Sequence, residues 1–204
     1  MSRRGKFITL EGVDGSGKST HLAFVEDRLR DRGYDVLRTR EPGGTPLAEA
    51  LRELVLHTAM DGLCEVLLMF AARADHVRQV IRPAVEAGRW VVCDRFTDAT
   101  LAYQGGGKGI SVQLIRDLAD AAHPGLWPDL TLVFDCPYEV ARARLAGTGR
   151  ALDRFEREDR AFFERVRQSY LDAAQRDPGR VRLIDASQSL QNVKTQIEKY
   201  LFIR

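Results

Sequence analysis

The amino-acid sequence predicts an α/β protein with a five-stranded parallel sheet, helices on both faces of the sheet and a short lid. Short apolar runs alternate with longer helix-compatible stretches, which is the pattern of strand–helix–strand crossovers. The 204 residues, 44% of them hydrophobic, fit one core and a single domain better than two. We therefore expect one domain over residues 1–204, with the lid at about 141–155.

Apolar runs that are expected to form the strands are followed by residues that could bind a ligand or take part in catalysis. The runs lie at residues 7–10, 34–39, 90–93, 130–134 and 181–184. Gly12, Glu41, Asp94 and Asp135 come soon after the first four runs. Parallel sheets bind ligands outside the carboxyl ends of their strands, so these positions predict where a binding site lies.

The stretches between the runs carry helix patterns, which stop where glycine and proline disfavour regular structure. Helices are expected from residue 19 onward and at 47–56, 63–87, 112–122, 139–145, 154–175 and 190 to the C-terminus. The segment 41–44 contains a proline and two glycines and is expected to be a loop. The three glycines at 105–107 predict a flexible loop.

Charge and cysteine content argue against several classes of protein. The 31 basic and 29 acidic residues leave a formal charge of +2, which argues against a dedicated nucleic-acid-binding protein. Cys64, Cys93 and Cys136 lie far apart, which indicates neither a disulfide framework nor a zinc site. No stretch approaches the roughly 20 apolar residues that span a bilayer, and no signal-peptide pattern follows the basic start. We expect a cytoplasmic protein without a membrane partner.

The segment Gly12 to Ser19 matches the phosphate-binding pattern G-x-x-x-x-G-K-S, the P-loop. Its glycines let backbone N–H groups turn toward phosphate oxygens, Lys18 adds a positive charge, and the Ser19 hydroxyl can bind Mg²⁺. The alternative is a glycine-rich turn that arose by chance, but the preceding strand and following helix favour a site for ATP and Mg²⁺. The predicted donor-site residues are Gly12, Val13, Asp14, Gly15, Ser16, Gly17, Lys18, Ser19 and Thr20.

A P-loop occurs in kinases, GTPases and motor ATPases, and the sequence argues against the switch GTPases. Guanine recognition in those proteins uses an Asn-Lys-x-Asp element. The single asparagine of the chain is Asn192, which Val193 follows, so that element is absent from the sequence.

Several further motifs at consistent spacing resemble the thymidylate kinase (dTMP kinase) family. They are FITLEGVDG at 7–15, TREPGGT at 39–45, FAAR at 70–73, DRF at 94–96 and AYQG at 102–105. The resemblance extends from about residue 6 to about residue 186. It implies a P-loop NTPase fold and transfer of the γ-phosphoryl of ATP to dTMP, in dTTP synthesis, with Mg²⁺ as cofactor and a homodimeric assembly. The alternatives are another nucleoside or nucleoside-monophosphate kinase and an ATP-hydrolysing binding or switch protein without an acceptor.

The resemblance also implies a set of acceptor-binding residues. These are Glu41, Pro42, Phe70, Arg73, Arg95, Thr100, Tyr103 and Gln104. Phe70 would stack on the thymine and Arg73 would donate to its exocyclic oxygen, and the two share a helix face at i and i+3. The alternatives are a core position for Phe70 and a salt bridge between Arg73 and Asp75 or Glu65.

The resemblance further implies which residues contact the phosphate, the sugar and the metal. Arg95 would bind the 5′-phosphate of the acceptor, and Asp94 would lie near the metal, although such a pair could also merely cap the sheet edge. Tyr103 would crowd a ribose 2′-hydroxyl, Gln104 would hydrogen-bond the thymine, and Thr100 could supply a further hydroxyl.

Phosphoryl transfer depends on positioning and on neutralising the transferred group, so a lid that carries cations is expected. Arg142, Arg144, Arg150 and Arg154 surround the glycines at 147–149, although a solvated basic helix face is the alternative for the first two. Gly15 stands where one branch of the family carries an arginine, so the resemblance implies a lid arginine. Arg150 is the first candidate and Arg154, which is also assigned to ATP, is the second. The candidate catalytic residues are Lys18, Asp14, Arg95 and Arg150.

Overall fold

The computed structural model describes residues 4–149 and 151–202, and within them five strands form one parallel sheet. The strands are β1 (Phe7–Gly12), β2 (Val36–Arg40), β3 (Trp90–Asp94), β4 (Leu130–Asp135) and β5 (Val181–Asp185). Their order across the sheet is β2-β3-β1-β4-β5, and all neighbours run parallel. The predicted five-stranded parallel sheet is confirmed.

The central strand β1 pairs with β3 and β4 so that the ends of the three strands lie together at one edge of the sheet. On one side Leu10 lies opposite Asp94 of β3, and on the other Gly12 lies opposite Phe134 of β4. The loops that follow β1 and β3 therefore start side by side. A ligand crevice is expected at this edge, because the chain continues to opposite sides of β1.

Alternation along β1 supplies both faces of the sheet with core residues. Ile8 and Leu10 join a cluster that contains Val25 of the first helix, whereas Phe7 packs in a second cluster with Ile81. Successive side chains of a strand point to opposite faces, so a strand covered by helices on both sides is apolar throughout.

Within the described part of the chain, no helix is long and apolar enough to cross a membrane.

The helices occupy the stretches that connect the strands. They are α1 (Lys18–Arg30), α2 (Pro46–His57), α3 (Gly62–His76), α4 (Arg82–Glu86), α5 (Thr97–Thr100), α6 (Val112–Ala122), α7 (Tyr138–Ala146), α8 (Arg160–Arg176) and α9 (Leu190–Leu201). A π-helical turn (Val77–Ile81) joins α3 to α4, and a second one (Leu101–Gly107) follows α5.

The expectation of a flexible loop at 105–107 is wrong, because these glycines end the second π-helical turn. This turn packs closely against α8. A Cβ atom added to Gly107 would lie 2.4 Å from the Phe162 ring, and one added to Gly106 would lie 2.8 Å from the Ser169 side chain. The glycines therefore allow two helical segments to approach closely.

The start of the long helix expected at 154–175 is also wrong. Helix α8 begins at Arg160, where the Asp159 side chain accepts a hydrogen bond of 2.7 Å from the Phe162 N–H. This N-cap ends the irregular segment before it. The beginning of the expected lid, 141–146, belongs to α7.

Candidate active site

The P-loop joins β1 to α1 in a conformation that needs glycine. Gly12 has φ +133° and Gly15 has φ +80°, values that residues with side chains rarely adopt. A Cβ atom at Gly12 would lie 2.5 Å from the Phe134 carbonyl oxygen, and one at Gly15 would lie 2.4 Å from that of Ala141. The loop is therefore pressed between β4 and α7, and the pattern in the sequence reflects this fit.

The start of α1 offers backbone N–H groups that no side chain caps. Its N-cap is Gly17, which provides no side-chain acceptor, and no acidic residue lies in the first turn. The first N–H groups of a helix lack intrahelical acceptors and bind anions well. The Lys18 ammonium donates to the carbonyl oxygens of Gly12 (3.0 Å) and Val13 (3.3 Å), which holds it at the mouth of the loop.

A cavity opens over the P-loop, and we call it the donor cavity. The residues that line it include Asp14, Gly15, Ser16, Gly17, Lys18, Ser19, Thr20, Arg144 and Ala186. The predicted donor-site residues from Asp14 to Thr20 are thus brought together. Gly12 and Val13 lie behind them and supply the carbonyl groups that bind Lys18.

Arg144 ties the P-loop to the loop that follows β5. Its guanidinium donates to the carbonyl oxygens of Ser16 (3.1 Å) and Ala186 (2.8 Å). Sequence reasoning left open whether Arg144 belongs to the site or to a solvated helix face. The structure brings it to the wall of the donor cavity, which only the packing of α7 against the P-loop could reveal.

A second cavity, the acceptor cavity, adjoins the first and shares Asp14 with it. The Asp14 carboxylate accepts hydrogen bonds from Arg95 Nη2 (2.7 Å) and from the Tyr103 hydroxyl (2.8 Å). Burial opposes ionisation of Asp14, but Arg95 and Lys18 outweigh it and lower the pKa of this carboxyl below its ordinary value. Cations and an ionised carboxylate therefore meet between the two cavities.

Arg95 is held in an unusual backbone conformation by a buried carboxyl that sequence reasoning did not single out. Its φ is +69°, rare for a residue with a side chain. The next N–H, of Phe96, donates to Glu11 Oε1 at 2.6 Å, and the Tyr170 hydroxyl donates to Glu11 Oε2 at 2.9 Å. Burial and the nearby Asp98 raise the pKa of Glu11 to about 8. The signal in the sequence was a glutamate in a mostly apolar strand.

One wall of the acceptor cavity is built on the buried carboxylate of Glu41. It accepts a hydrogen bond from Arg73 Nε at 2.6 Å and lies 3.0 Å from His76 Nδ1. Burial opposes ionisation, but Arg73 and His76 outweigh it and lower the pKa of Glu41. Arg73 Nη2 donates to the Thr100 hydroxyl at 3.1 Å, whereas Arg73 Nη1 is buried without a protein partner. Nη1 of Arg73 is therefore a buried hydrogen-bond donor that lacks a protein acceptor.

Phe70, which the resemblance implied would stack on thymine, is not among the residues that line the acceptor cavity. It is 4% exposed and packs in a core cluster with Val66, Ile115 and Ala119. Its ring lies beneath the guanidinium of Arg73, 4.7 Å away. The preceding residue, Met69, lines the cavity instead. Adjacent helical residues point about 100° apart, so Met69 and Phe70 meet different surroundings, and the role of Phe70 at the base stays a prediction.

The other predicted acceptor residues do line the cavity, namely Glu41, Pro42, Arg73, Arg95, Thr100, Tyr103 and Gln104. Sequence reasoning missed Arg52, which also lines it and donates to the Pro42 carbonyl oxygen at 2.9 Å. Asp153 and Phe155 reach the cavity from the lid side.

The lid arginines do not all face the donor cavity. Arg154 donates to the Val55 carbonyl oxygen at 2.5 Å and pairs with the carboxylate of Glu65, which is a contact on the acceptor side. Arg142 donates to the carbonyl oxygen of Glu156 at 2.8 Å. Arg150 lies outside the described residues. The described contacts of Arg154 lie on the acceptor side, and its assignment to ATP stays a prediction.

The residues that could hold Mg²⁺ form an open set of oxygen ligands. Ser19 is exposed at the start of α1, and Asp94 Oδ1 is buried without a hydrogen-bond partner at the end of β3. Among the described residues no three His, Cys, Asp or Glu side chains cluster as a metal cage. Mg²⁺ in phosphate-transfer sites is held by one or two protein ligands together with phosphates and water. The set present fits that mode.

Comparison with known proteins agrees with this geometry. Residues 10–197 match the family model for thymidylate kinase. Proteins named thymidylate kinase from Bordetella pertussis and Pseudomonas putida are 57% and 58% identical, each alignment covering 97% of this chain and 95% of the relative. The crystal structure of thymidylate kinase from Ehrlichia chaffeensis superposes with a TM-score of 0.80 at 34% identity, covering 98% of this chain and 99% of that one. The fold is that of P-loop NTPases, and the chain belongs to the thymidylate kinase family.

Proposed function

We propose that this protein transfers the γ-phosphoryl of ATP to dTMP, giving dTDP and ADP, as a step of dTTP synthesis. The observation that carries the proposal is the meeting of two cavities at Asp14, one built on a P-loop and one lined by base- and phosphate-binding groups. A kinase needs both sites end to end, whereas an ATPase without an acceptor needs only the first.

The donor site binds the triphosphate of ATP through backbone N–H groups of the P-loop and the Lys18 ammonium. Arg144 lines the wall beside it and links the P-loop to the Ala186 segment through hydrogen bonds to both. Ser19 and Asp94 would hold Mg²⁺, which, when bound, neutralises charge on the donor phosphates. We propose Lys18 as the residue that stabilises charge on the transferred group.

The acceptor site binds dTMP at both ends of the nucleotide. Arg95 binds the 5′-phosphate, because its guanidinium lies at the junction of the cavities beside Asp14. Arg73 Nη1 donates to the exocyclic oxygen of thymine, and Met69 packs on the base in place of Phe70. Tyr103 lies near the sugar and disfavours a 2′-hydroxyl. The carboxylate of Asp14 accepts from the sugar or from water on the metal.

The lid and the assembly complete the proposal. We propose a single domain over 1–204 whose lid, at about 141–155, brings Arg150 to the transferred phosphoryl group. The exposed leucines Leu47, Leu54, Leu63 and Leu67 on the packed helices α2 and α3 support a homodimer. Free thiols at Cys64, Cys93 and Cys136 are compatible with the reducing cytoplasm. The acceptor and donor are small molecules, and no nucleic-acid partner is proposed.

An acceptor panel tests this function directly. ADP formation is measured with ATP and Mg²⁺ in the presence of dTMP, dUMP, dCMP, UMP or AMP, and the diphosphate product is identified by chromatography. We expect dTMP to give dTDP with the highest kcat/KM. ADP release that is independent of added acceptor would contradict the proposal and favour an ATPase.

A further inference from the structure

Glu65, in the first turn of α3, has a fully buried carboxylate that contacts three side chains from other parts of the chain. Its exposed fraction is 0%. It accepts hydrogen bonds from Gln104 Nε2 at 2.6 Å and from Lys108 Nζ at 2.8 Å, and it pairs with the guanidinium of Arg154. A carboxylate without partners would be costly at such a position, and these donors compensate it.

The contact with Glu65 determines which way the amide of Gln104 points. An ionised carboxylate can only accept hydrogen bonds, so the NH₂ group of Gln104 must face it. The carbonyl oxygen of Gln104 is then the amide atom left for other contacts, and no described residue donates a hydrogen bond to it. Gln104 lines the acceptor cavity and is 1% exposed. The buried amide therefore presents its carbonyl oxygen, a hydrogen-bond acceptor, on the side that faces away from Glu65.

Arg73 supplies the complementary group in the same cavity. Its Nη1 is buried without a partner, while Glu41 and Thr100 hold the rest of the guanidinium. A donor from Arg73 and an acceptor from Gln104 match an imide edge, which offers a carbonyl oxygen beside an N–H. The same edge of cytosine offers an amino group beside a bare ring nitrogen, which mismatches both groups.

We propose that Glu65 is a positioning residue that makes the acceptor site selective for imide bases by holding the Gln104 amide with its carbonyl oxygen toward the base. This inference rests on the proposed function, because it concerns the acceptor of that reaction. Glu65 does not contact the nucleotide and acts through Gln104. Through Arg154 the same carboxylate also anchors the segment before α8, so base recognition and the lid share one buried group.

The test replaces Glu65 by glutamine, which keeps the size of the side chain but offers either a donor or an acceptor. In Glu65→Gln the Gln104 amide is no longer forced into one orientation. We expect KM for dTMP to rise by roughly two- to tenfold, the scale of one lost neutral hydrogen bond between Gln104 and the base, with a smaller change in kcat. The ratio of kcat/KM for dTMP to that for dCMP should fall by a similar factor. Glu198→Gln, an exposed change on α9, is the matched control.

A double-mutant cycle separates positioning from general structural damage. If Glu65 acts through Gln104, then adding Glu65→Gln to Gln104→Ala should change the dTMP to dCMP ratio little further. A loss of kcat/KM by the same factor for every acceptor, or equal effects of Glu65→Gln with and without Gln104, would overturn the proposal.

The unmodified protein provides a test that does not depend on the folding of a variant. N3-methyl-dTMP replaces the imide N–H by a methyl group and should bind at least about tenfold more weakly than dTMP. Equal binding of the two nucleotides would overturn the proposal. Failure of the proposed function looks different, since the unmodified protein would then not phosphorylate dTMP at all.

Discussion

Neighbouring residues of α3, Met69 and Phe70, provide a sharp test of how the acceptor cavity is built. Met69 lines the cavity, whereas Phe70 is 4% exposed and packs beneath Arg73 among apolar side chains. Replacing each by alanine on an otherwise identical helix should therefore produce opposite effects.

Phe70→Ala should mainly reduce stability. Truncation of a buried Phe costs about 3–5 kcal/mol, because a cavity remains where the ring was. For a chain of this size each kcal/mol corresponds to a fall in Tm of about 2–4 °C, so a fall of roughly 6–20 °C is expected. Met69→Ala should instead leave Tm near that of the unmodified protein and raise KM for dTMP by roughly two- to tenfold, the scale of thioether–ring contacts.

Both variants are assayed by thermal unfolding without ligand and by steady-state kinetics at a temperature where each is folded. If Phe70→Ala melts like the unmodified protein and raises KM for dTMP more than Met69→Ala does, the base packs on Phe70 and the geometry described above is refuted.

Three further outcomes are expected. Lys18→Ala should lower kcat by about a hundredfold or more, since a cation beside the transferred charge is lost; unchanged turnover in the ADP-formation assay would contradict this role. Gly107→Ala should cost about 1–3 kcal/mol of unfolding free energy in a denaturant titration, because its Cβ would lie 2.4 Å from Phe162, whereas Gly179→Ala, with no atom nearer than 3.9 Å, should cost less. Burial and Arg73 lower the pKa of His123 from 6.5 to about 4, so folding disfavours the charged ring and stability should fall as pH drops from about 6.5 toward 4. His123→Gln should show a smaller fall in Tm over that window, and identical curves would count against the buried neutral ring.

Much of the fold could be predicted because its signals are local. Apolar runs of strand length and helix patterns between them indicated the parallel sheet, and the P-loop pattern indicated the positive φ angles that Gly12 and Gly17 adopt. The glycines at 105–107 misled, since local sequence does not tell whether glycine serves flexibility or close packing. Their contact with Phe162 and Ser169 of α8 joins residues far apart in the chain.

The sequence predicted most of the residues that line the site, but not the direction in which their side chains point. Most of the predicted acceptor residues line one cavity, whereas Phe70 packs in the core and Arg154 forms a salt bridge with Glu65. Glu11, which supports the Phe96 N–H beside Arg95, lies within the motif at 7–15, but its partners come from distant parts of the chain. Adjacent helical residues point about 100° apart, and packing against other elements decides which of them faces the cavity, which no single helix pattern records.

The sequence by itself determined the chemistry, because a phosphate-binding loop depends on residue types at fixed spacing within one short segment. It also determined the layered α/β architecture, since hydrophobic periodicity follows directly from which faces are buried. Only the tertiary structure decided which side chains meet, including the shared carboxylate of Glu65 and the triangle of Asp14, Arg95 and Tyr103. Those contacts join residues that are distant in the chain, and their geometry depends on the packing of whole helices against the sheet.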